Sequence, residues 1–577
     1  MNYKESYNEW LENPYFDEAT KEELRAIAGD EKEIEDRFYM ELEFGTAGLR
    51  GVIGAGMNRM NIYTVRKATQ GLANYICSLG VQDKGVAIAY DSRNMSPEFA
   101  RETALCLAAN GVKAYMFDSL RPVPELSFTV RTLKCTAGVV ITASHNPAEY
   151  NGYKVYWEDG AQITPPHDGG IMDQVRAVTD FTTVKTMDYD EAIKAGLLTI
   201  IGKDIDDLYM AELKKVVLHP ETIASQADHL RIVYTPLHGT GNKPVRRILD
   251  ELGFKQVFVV PEQEEPNGDF PTVSYPNPEA ADAFELALAL AKEKDADLVL
   301  ATDPDADRLG VYVKDGSDGS YHALTGNMSG CLIGAYEIAQ RKALFGLPED
   351  GAFIKSIVST NLADAIAADY GVALCEVLTG FKFIGRKMLE FETEGTGTYL
   401  FGMEESYGCL PGTYARDKDA VAASMVLCEA AAWYKEQGKT LWDAMVELYD
   451  KYGWYHDEVT SITLKGKEGI EKIQSIMEEL RKDPPKEIGG LEVLSLRDYK
   501  KGTIVDNRTG EEKPTGLPSA NVLYCDLPDA AWVCFRPSGT EPKLKFYFGI
   551  VGTSAEDAAA KAENLGAAVK GIVEAMM

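Results

Sequence analysis

The sequence predicts an α/β protein in which three similar α/β blocks, with mixed and mainly parallel sheets, precede a smaller α+β domain. Three observations predict this class. Apolar, strand-like runs alternate with segments of helical period, and this alternation occurs three times along the chain. In each block the third strand is followed directly by a polar loop. Strands separated by helices are typical of crossover connections, which build parallel sheets.

Length and composition indicate a multidomain globular protein. The 577 residues suffice for about three to five domains. Lys and Arg number 59 and Asp and Glu 90, a formal charge of −31 that disfavours binding to nucleic acid or anionic membranes. No apolar run approaches the roughly 18 residues of a membrane helix, and the acidic N-terminus is not typical of a secretory signal. The nine Cys include no C-x-x-C pair, so reduced thiols and a cytoplasmic location are expected.

The first block follows a polar N-terminal region. The first forty residues are expected to be helical, with a helix beginning at about Asp30. The glycine-rich segment 43–56 is expected to be a loop that carries Arg50. A helix is predicted at 97–110 with Ser96 as its N-cap. Buried strands are predicted at 86–90, 112–117 and 138–142.

The same pattern predicts the two later blocks and then changes. Strands of the second block are predicted at 231–234, 256–260 and 297–301, with a helix at 280–294. Those of the third are predicted at 353–358, 373–378 and 398–401. From about Tyr455 short strands, including 531–535, accompany helices at 469–482 and 554–577, which favours an α+β domain. Open α/β sheets bind ligands at the carboxyl ends of their strands, so the loops there are candidate sites.

The first candidate loop is Thr-Ala-Ser-His-Asn-Pro at 142–147. Ser144 follows a buried strand, stands next to His145 and precedes a proline, so it could be a nucleophile or a phosphoryl carrier. The surroundings do not match a G-x-S-x-G elbow, which disfavours acyl transfer. An ordinary polar turn has the same composition, and from this loop alone both interpretations stay open.

The second loop contains three alternating carboxylates, Asp303, Asp305 and Asp307, directly after an apolar strand. Carboxylates this close repel one another unless a cation lies among them, and oxygen ligands suit Mg²⁺ or Ca²⁺. An EF-hand is excluded, because Arg308 and Lys314 occupy its obligatory Gly and Glu positions. Arg308 could bind a phosphate oxygen beside the metal. The alternative is a solvated acidic turn.

The third loop is Gly-Met-Glu-Glu-Ser-Tyr-Gly at 402–408. On an extended segment Glu404 and Ser406 would point the same way and could bind neighbouring sugar hydroxyls, although this loop by itself favours a surface turn. Lys418 lies between Asp417 and Asp419. It could transfer protons or belong to a surface cluster of ion pairs.

The fourth loop, Arg-Pro-Ser-Gly-Thr-Glu-Pro-Lys at 536–543, has the composition of a phosphate site. Arg536 offers a guanidinium fork, Ser538 and Thr540 offer hydroxyls, and Gly539 permits close backbone approach. Hydroxyl-glycine turns without a ligand are common, so that alternative remains. The chain contains neither a G-x-x-x-x-G-K-[ST] nor a G-x-G-x-x-G motif, which excludes nucleotide loops of those types.

Together and in this order, the four loops resemble those of the α-D-phosphohexomutase superfamily. The match extends from GTAGLRG at 45–51 to RPSGTEPK at 536–543. TASHNPAEYNGYKVY and GMEESYG resemble the phosphoglucomutase branch, which also includes phosphopentomutases and glucose-1,6-bisphosphate synthases. The resemblance implies four domains around a central cleft. They would be 1–203 with the phosphoserine loop, 204–319 with the metal loop, 320–454 with the sugar loop and 455–577 with the phosphate loop.

The resemblance also implies a role for each motif residue. Ser144 would be the phosphoserine, and the three Asp would hold Mg²⁺ together with a phosphoryl oxygen on Ser144. Arg308 would contact that phosphoryl group. Sugar hydroxyls and the non-reacting phosphate would be bound by Glu404, Ser406, Arg536, Ser538, Gly539 and Thr540. Groups near the reacting oxygens would be Arg50, His145, Lys154 and Lys418.

One departure from the family bears on the substrate. Some members that accept both mannose and glucose phosphates have Gly-His after the Glu-x-Ser of the sugar loop. Tyr407 and Gly408 stand here instead. This difference favours Lys418 as the acid/base and disfavours mannose.

The expected reaction is therefore the interconversion of glucose 1-phosphate and glucose 6-phosphate. It would proceed through a phosphoserine enzyme, with glucose 1,6-bisphosphate as intermediate and activator and Mg²⁺ as cofactor. The expected partner is a small sugar phosphate, with no nucleic acid or membrane, and the chain would be a monomer or a homodimer. Pentose or mannose phosphates are alternative substrates. A non-catalytic phosphosugar sensor is a further alternative, disfavoured because a sensor needs neither Ser144 nor the three Asp.

Overall fold

The computed structural model describes residues 2–45, 48–464, 466–538 and 543–577. The chain forms two compact units. The first comprises Met1–Gly326, Phe381–Phe401 and Ser406–Leu441, and the second comprises Asn327–Gly380, Gly402–Glu405 and Trp442–Met577. Among the described residues, no helix has both the length and the apolar character needed to cross a bilayer.

Three short helices begin the first unit: α1 Tyr3–Glu12, α2 Glu18–Ala26 and α3 Glu31–Phe38. Each has a polar N-cap that satisfies a backbone N–H of the first turn. Asp30 accepts from the N–H of Glu33 at the start of α3, which confirms the predicted helix start. The helices pack through aromatic rings centred on Trp10, whose neighbours are Phe16, Phe38, Tyr63 and Phe181.

A six-stranded sheet follows, in the order β1-β5-β4-β2-β3-β6. Its strands are β1 Gly48–Val52, β2 Val86–Tyr90, β3 Ala114–Phe117, β4 Ala137–Ile141, β5 Tyr150–Trp157 and β6 Leu198–Ile201. Strands β4, β2, β3 and β6 are parallel, whereas β5 is antiparallel to β4 and to β1. Its helices are α4 Ile62–Ser78, α5 Ser96–Ala109, α6 Val123–Thr132, α7 His167–Ala177, α8 Tyr189–Lys194 and α9 Lys203–Lys214.

The strands predicted for this block are confirmed to within two residues, but two local predictions are wrong. Segment 43–56 is not a loop throughout, because β1 lies within it and carries Arg50. Gly48 permits this pairing, since a Cβ there would meet the Tyr153 carbonyl oxygen at 1.8 Å. Ser96 is the first residue of α5 rather than its cap, and its hydroxyl donates to Asp91 instead.

The second sheet has the order β11-β10-β9-β7-β8. Its strands are β7 Arg231–Thr235, β8 Gln256–Val259, β9 Leu298–Thr302, β10 Leu309–Lys314 and β11 Tyr321–Leu324. The helices around it are α10 Pro220–Gln226, α11 Asn242–Leu252, α12 Pro261–Glu264 and α13 Glu285–Lys294. Strand β7 is parallel to β8 and β9, and β10 is antiparallel to β9 and β11. The helix predicted at 280–294 starts as a 3₁₀ turn, Ala281–Phe284.

The third block contains the strands β12 Gly351–Ser356, β13 Ala373–Val377, β14 Thr398–Glu404 and β15 Gly408–Leu410. Strands β12 and β13 are parallel. Its helices are α14 Gly326–Phe345, α15 Leu362–Tyr370, α16 Phe381–Glu394, α17 Ala420–Glu436 and α18 Leu441–Tyr452. The strand and helix alternation predicted for this block is confirmed.

The C-terminal region is α+β, as predicted. Its strands are β16 Trp454–Thr463, β17 Glu487–Ile488, β18 Leu491–Glu492, β19 Ser495–Asp498, β20 Thr503–Asp506, β21 Glu512–Pro514, β22 Leu523–Asp526, β23 Trp532–Pro537 and β24 Lys543–Gly552. Seven of them form an antiparallel sheet in the order β16-β24-β23-β22-β19-β20-β21. Helices α19 Gly466–Lys482 and α20 Ala555–Glu574 accompany it, and Ser554 caps α20.

Candidate active site

Ser144 lies three residues beyond the end of β4, in a buried turn. Its backbone adopts the left-handed conformation, with φ +52°, and its N–H donates to Thr142 Oγ1 at 2.8 Å. Its hydroxyl donates to Asp303 Oδ2 at 2.8 Å, and His145 Nδ1 lies 3.2 Å from Ser144 Oγ. The first and second candidate loops therefore meet at the serine hydroxyl.

The three carboxylates of the second loop follow β9 and are buried. One oxygen of each of Asp303, Asp305 and Asp307 lies within 4.8 Å of the others. Among the described residues, Asp305 Oδ1 and Asp307 Oδ1 have no hydrogen-bond partner although both are enclosed. Buried carboxylate oxygens are costly when unsatisfied, and such oxygens can ligate a cation. The solvated acidic turn, the alternative from the sequence, is excluded by this burial.

Without a cation, the negative charges of the three carboxylates repel one another. Burial, together with repulsion from Asp305 and Asp307, raises the pKa of Asp303 well above its usual value. Burial also acts to raise the pKa of Asp305, but the ammonium of Lys154, the hydrogen bond with Asp303 and the charge of Lys418 together hold that pKa below its usual range. A divalent cation would relieve the repulsion. The oxygen-only donor set, with open lone pairs beside a serine hydroxyl, fits Mg²⁺.

Two lysines reach the carboxylates from different segments. Lys154 on β5 places Nζ 2.8 Å from Asp305 Oδ2. Lys418, which precedes α17, places Nζ 2.9 Å from Asp307 Oδ2. It is thus a member of the buried cluster and not of a surface network.

Arg50, His145 and Arg308 surround the same loop. Arg50 donates to the Asn146 side chain at 3.1 Å, and Arg308 Nη1 lies 2.6 Å from Glu279 Oε1. Burial, with the positive charges of Arg308 and Arg50, lowers the pKa of His145 well below its usual value. The imidazole beside Ser144 is therefore neutral near pH 7.

The sugar loop differs from its prediction in one respect. Strand β14 ends at the buried Glu404 and a turn follows, with Tyr407 in the left-handed conformation at φ +64°. Residues 404–406 are therefore not one extended segment, and the predicted reason for Glu404 and Ser406 to point the same way is wrong. The intervening Glu405 accepts a hydrogen bond from Ser356 Oγ at 2.8 Å, which anchors the turn.

The predicted phosphate loop begins at the end of β23. Arg536 Nη1 donates to the Tyr547 hydroxyl at 3.3 Å, and the Ser538 N–H donates to the Lys543 carbonyl at 2.8 Å. Gly539 and Thr540 lie outside the described residues.

The first unit thus brings most of the predicted site together, namely Arg50, Ser144, His145, Lys154, Asp303, Asp305, Asp307, Arg308 and Lys418. Sequence reasoning missed two buried residues behind the serine, Asp91 and Arg93, and assigned no role to Thr142 within the first candidate loop. The polar segment Asp-Ser-Arg-Asn directly follows the predicted strand 86–90. Ligand-binding loops follow the carboxyl ends of parallel strands, so the position of this segment could have identified it as a further candidate loop.

Family models cover most of the chain. Those described as phosphoglucomutase/phosphomannomutase alpha/beta/alpha domains I, II and III match residues 41–181, 207–316 and 325–452.

Similar proteins match over nearly their full lengths. A phosphoglucomutase from Staphylococcus saprophyticus is 36% identical over 549 residues, 95% of both chains. One from Staphylococcus aureus is 37% identical over 536 residues, covering 92% of this chain and 94% of the relative.

Solved structures share the fold. Parafusin, a phosphoglucomutase from Paramecium in its open form, is 19% identical with a TM-score of 0.69, over 93% of this chain and 95% of its own. A phosphoglucomutase/phosphomannomutase family protein from Burkholderia thailandensis is 20% identical with a TM-score of 0.62, over 92% and 98%.

Proposed function

This chain belongs to the phosphoglucomutase/phosphomannomutase family, and from that premise we propose that it interconverts glucose 1-phosphate and glucose 6-phosphate. It is an isomerase, because the relatives that it matches over nearly its full length are phosphoglucomutases. The observation that carries the proposal is the 2.8 Å hydrogen bond between Ser144 Oγ and Asp303, inside a buried group of three carboxylates. A hydroxyl placed there is suited to carry a phosphoryl group.

Ser144 is the proposed carrier. Its phosphate would bring about −1.5 to −2 charge beside three carboxylates, which only a strongly positive surrounding can tolerate. Lys154, Lys418 and Arg308 supply part of that charge. Mg²⁺ held by Asp303, Asp305, Asp307 and an oxygen on Ser144 would supply the rest as a Lewis acid.

The groups proposed to transfer protons are His145 and Lys418, which lie close to the serine hydroxyl and to the carboxylate cluster. When the sugar oxygen bonds to phosphorus, the bond from phosphorus to Ser144 Oγ breaks and that oxygen takes a proton. His145 Nδ1 lies 3.2 Å from Ser144 Oγ. Its neutral imidazole is placed to accept the hydroxyl proton of Ser144 when Oγ attacks phosphorus, and to return that proton when the bond between phosphorus and Oγ breaks. Lys418 is the proposed acid/base for the sugar oxygen, and its Nζ lies 2.9 Å from Asp307 Oδ2 inside the cluster. As the neutral amine it would take the proton of the attacking sugar hydroxyl, and as the ammonium it would return that proton when the sugar oxygen leaves phosphorus in the reverse step. Arg50 and Lys154 would hold phosphoryl oxygens during transfer.

The substrate would be held by the two remaining loops. Glu404 and Ser406 would bind sugar hydroxyls, and Arg536, Ser538, Gly539 and Thr540 would bind the phosphate that does not react. Glucose 1,6-bisphosphate would rotate end for end in the site between the two phosphoryl transfers, so one phosphate site must bind the sugar in both orientations. Burial of Glu404 and the position of Arg536 at a strand end support these roles.

The domain division at 203, 319 and 454 is part of the proposal. The limits of the three matched domain models and the antiparallel sheet of the C-terminal region support it. The central cleft, the cytoplasmic location and the choice between monomer and homodimer stay predictions.

One assay tests the function. Purified protein with Mg²⁺ and glucose 1,6-bisphosphate is given glucose 1-phosphate, ribose 1-phosphate or mannose 1-phosphate, and kcat/KM is compared. Glucose 1-phosphate should give the highest value. Chelation of Mg²⁺ should abolish turnover, because the carboxylates then repel the phosphoserine.

The matched variants are Ser144→Ala and Ser78→Ala, the latter at an exposed helix end. Ser144→Ala should abolish turnover and phosphorylation of the protein, and Ser78→Ala should change neither. A higher kcat/KM with ribose 1-phosphate or mannose 1-phosphate would contradict the assigned substrate. Tight sugar phosphate binding without turnover would indicate a sensor.

A further inference from the structure

A buried arginine outside the predicted site binds the loop that carries Ser144. Arg93 follows β2 and is 1% exposed. Its Nη2 donates to the carbonyl oxygens of Ser144 and Asn146, both at 2.5 Å. Its Nη1 donates to those of Pro147 at 2.8 Å and Tyr150 at 3.0 Å. One planar guanidinium thus holds four carbonyl groups between Ser144 and the first residue of β5, a geometry that a lysine cannot reproduce.

These contacts bear directly on the orientation of the serine hydroxyl. Ser144 adopts a positive φ, which a residue with a side chain tolerates only where its surroundings impose it. Its N–H is held by Thr142 Oγ1 and its carbonyl by Arg93. With both backbone groups held, the Cα–Cβ bond of Ser144 has a set direction, from which Oγ reaches Asp303 Oδ2 at 2.8 Å.

Arg93 is itself held in place from two sides. Its backbone N–H donates to Asp91 Oδ1 at 2.9 Å, and its Nε lies 3.4 Å from Asp91 Oδ2. The ring of Phe270, from the segment after α12, lies 5.0 Å from the guanidinium carbon. Because Asp91 offsets the positive charge, the contribution of Arg93 is geometric rather than a net charge near the reacting phosphate.

We propose that Arg93 is a positioning residue for phosphoryl transfer, which fixes the Ser144 turn so that the hydroxyl faces the metal-binding carboxylates. This role rests on the proposed function, since it assumes that Ser144 carries the phosphoryl group. It needs no contact between Arg93 and substrate, so substrate binding should not depend on it.

The primary test is Arg93→Lys, assayed for kcat and KM with glucose 1-phosphate at saturating glucose 1,6-bisphosphate. A displacement of about 1 Å in reacting groups can cost about 10²-fold, so kcat should fall by about that factor with KM unchanged within about 2-fold. The matched control is Arg66→Lys, which alters an arginine paired with Glu102 at 2.6 Å between α4 and α5. The control should keep the wild-type kcat.

A rescue experiment separates positioning from folding. Arg93→Ala removes the guanidinium, and added guanidinium ion at millimolar concentration should restore part of kcat without raising Tm. Wild-type kcat in Arg93→Lys would overturn the inference. The inference would also be overturned if the loss of kcat in Arg93→Lys and Arg93→Ala paralleled a fall in Tm and added guanidinium ion did not restore kcat. The proposed function is tested by the activity of the wild-type protein alone. The role of Arg93 is tested by the ratio of variant kcat to wild-type kcat, so either proposal can be contradicted without the other.

Discussion

Gly408 leaves room for the side chain of Lys418. A Cβ at position 408 would lie 2.2 Å from Lys418 Cδ and 3.2 Å from its Cβ and Cγ. The clash involves the stem of the lysine rather than its mobile end, so the whole side chain would have to move. The position of the ammonium beside Asp307 therefore depends on the absence of a side chain at 408.

We expect Gly408→Ala to lower kcat by about 10-fold to 100-fold, because Lys418 would leave its contact with the carboxylates. Steady-state kinetics with glucose 1-phosphate measures this. The control is Gly169→Ala in α7, where an added Cβ meets nothing within 4 Å. Retention of wild-type kcat by Gly408→Ala would show that Lys418 does not act from this position.

At the scale of elements, the N-terminal helices are held by aromatic packing rather than by their own length. Helices α1, α2 and α3 have 10, 9 and 8 residues, and helices this short are marginal in water. Trp10 is 2% exposed and stacks on Phe16 with ring centroids 4.1 Å apart. Tyr63 on α4 contacts the same indole, so the cluster attaches the three helices to the first α/β block.

Trp10→Ala should therefore release this region. Truncation of a large buried aromatic costs about 3–5 kcal/mol, and here the loss falls on local unfolding of α1. Hydrogen exchange of the α1 amides measures it, and exchange should become faster. Tyr39→Ala, which alters a ring that is 57% exposed, is the control. Unchanged exchange in Trp10→Ala would mean that the caps alone hold the helix.

Two of the three wrong local predictions share a cause. Segment 43–56 was expected to be a loop because it is rich in glycine and low in helix propensity, yet the pairing of β1 with β5 makes part of it a strand. The argument that Glu404 and Ser406 point the same way needed an extended segment 404–406, but β14 ends at Glu404 and Ser356 on β12 donates to Glu405. In both cases a partner distant in sequence decided the local conformation.

At the scale of the whole molecule, buried carboxyl groups make the free energy of unfolding depend on pH. Asp457 on β16 is one of them. Burial raises its pKa to about 6, and the opposing effects of Thr360, Lys355 and His456 are smaller. The folded state thus binds this proton more tightly than the unfolded state, so the stability it contributes is lost as pH rises from about 4 to about 6.

Asp457→Asn should remove this dependence. Relative to wild type, the Tm of the variant should rise as pH goes from about 4 to about 6 and level off above that, because only the wild-type carboxyl must ionise in an enclosed site. Differential scanning calorimetry across that range measures the difference. Asp483→Asn, at an exposed position after α19, is the control. A Tm difference that does not vary with pH would contradict the assignment to Asp457.

The sequence by itself determined the class of fold and the order of the four loops, and it singled out Ser144, the three Asp and Arg536 as candidate site residues. These follow from local patterns, namely the period of apolar residues and the polar residues that end each strand. Only the tertiary structure decided that Ser144 meets Asp303, that Lys418 is buried beside Asp307 and that Arg93 holds the serine turn. Those contacts join segments from 51 to 159 residues apart. Their formation depends on side-chain packing and backbone conformation across strands, which no short stretch of sequence specifies.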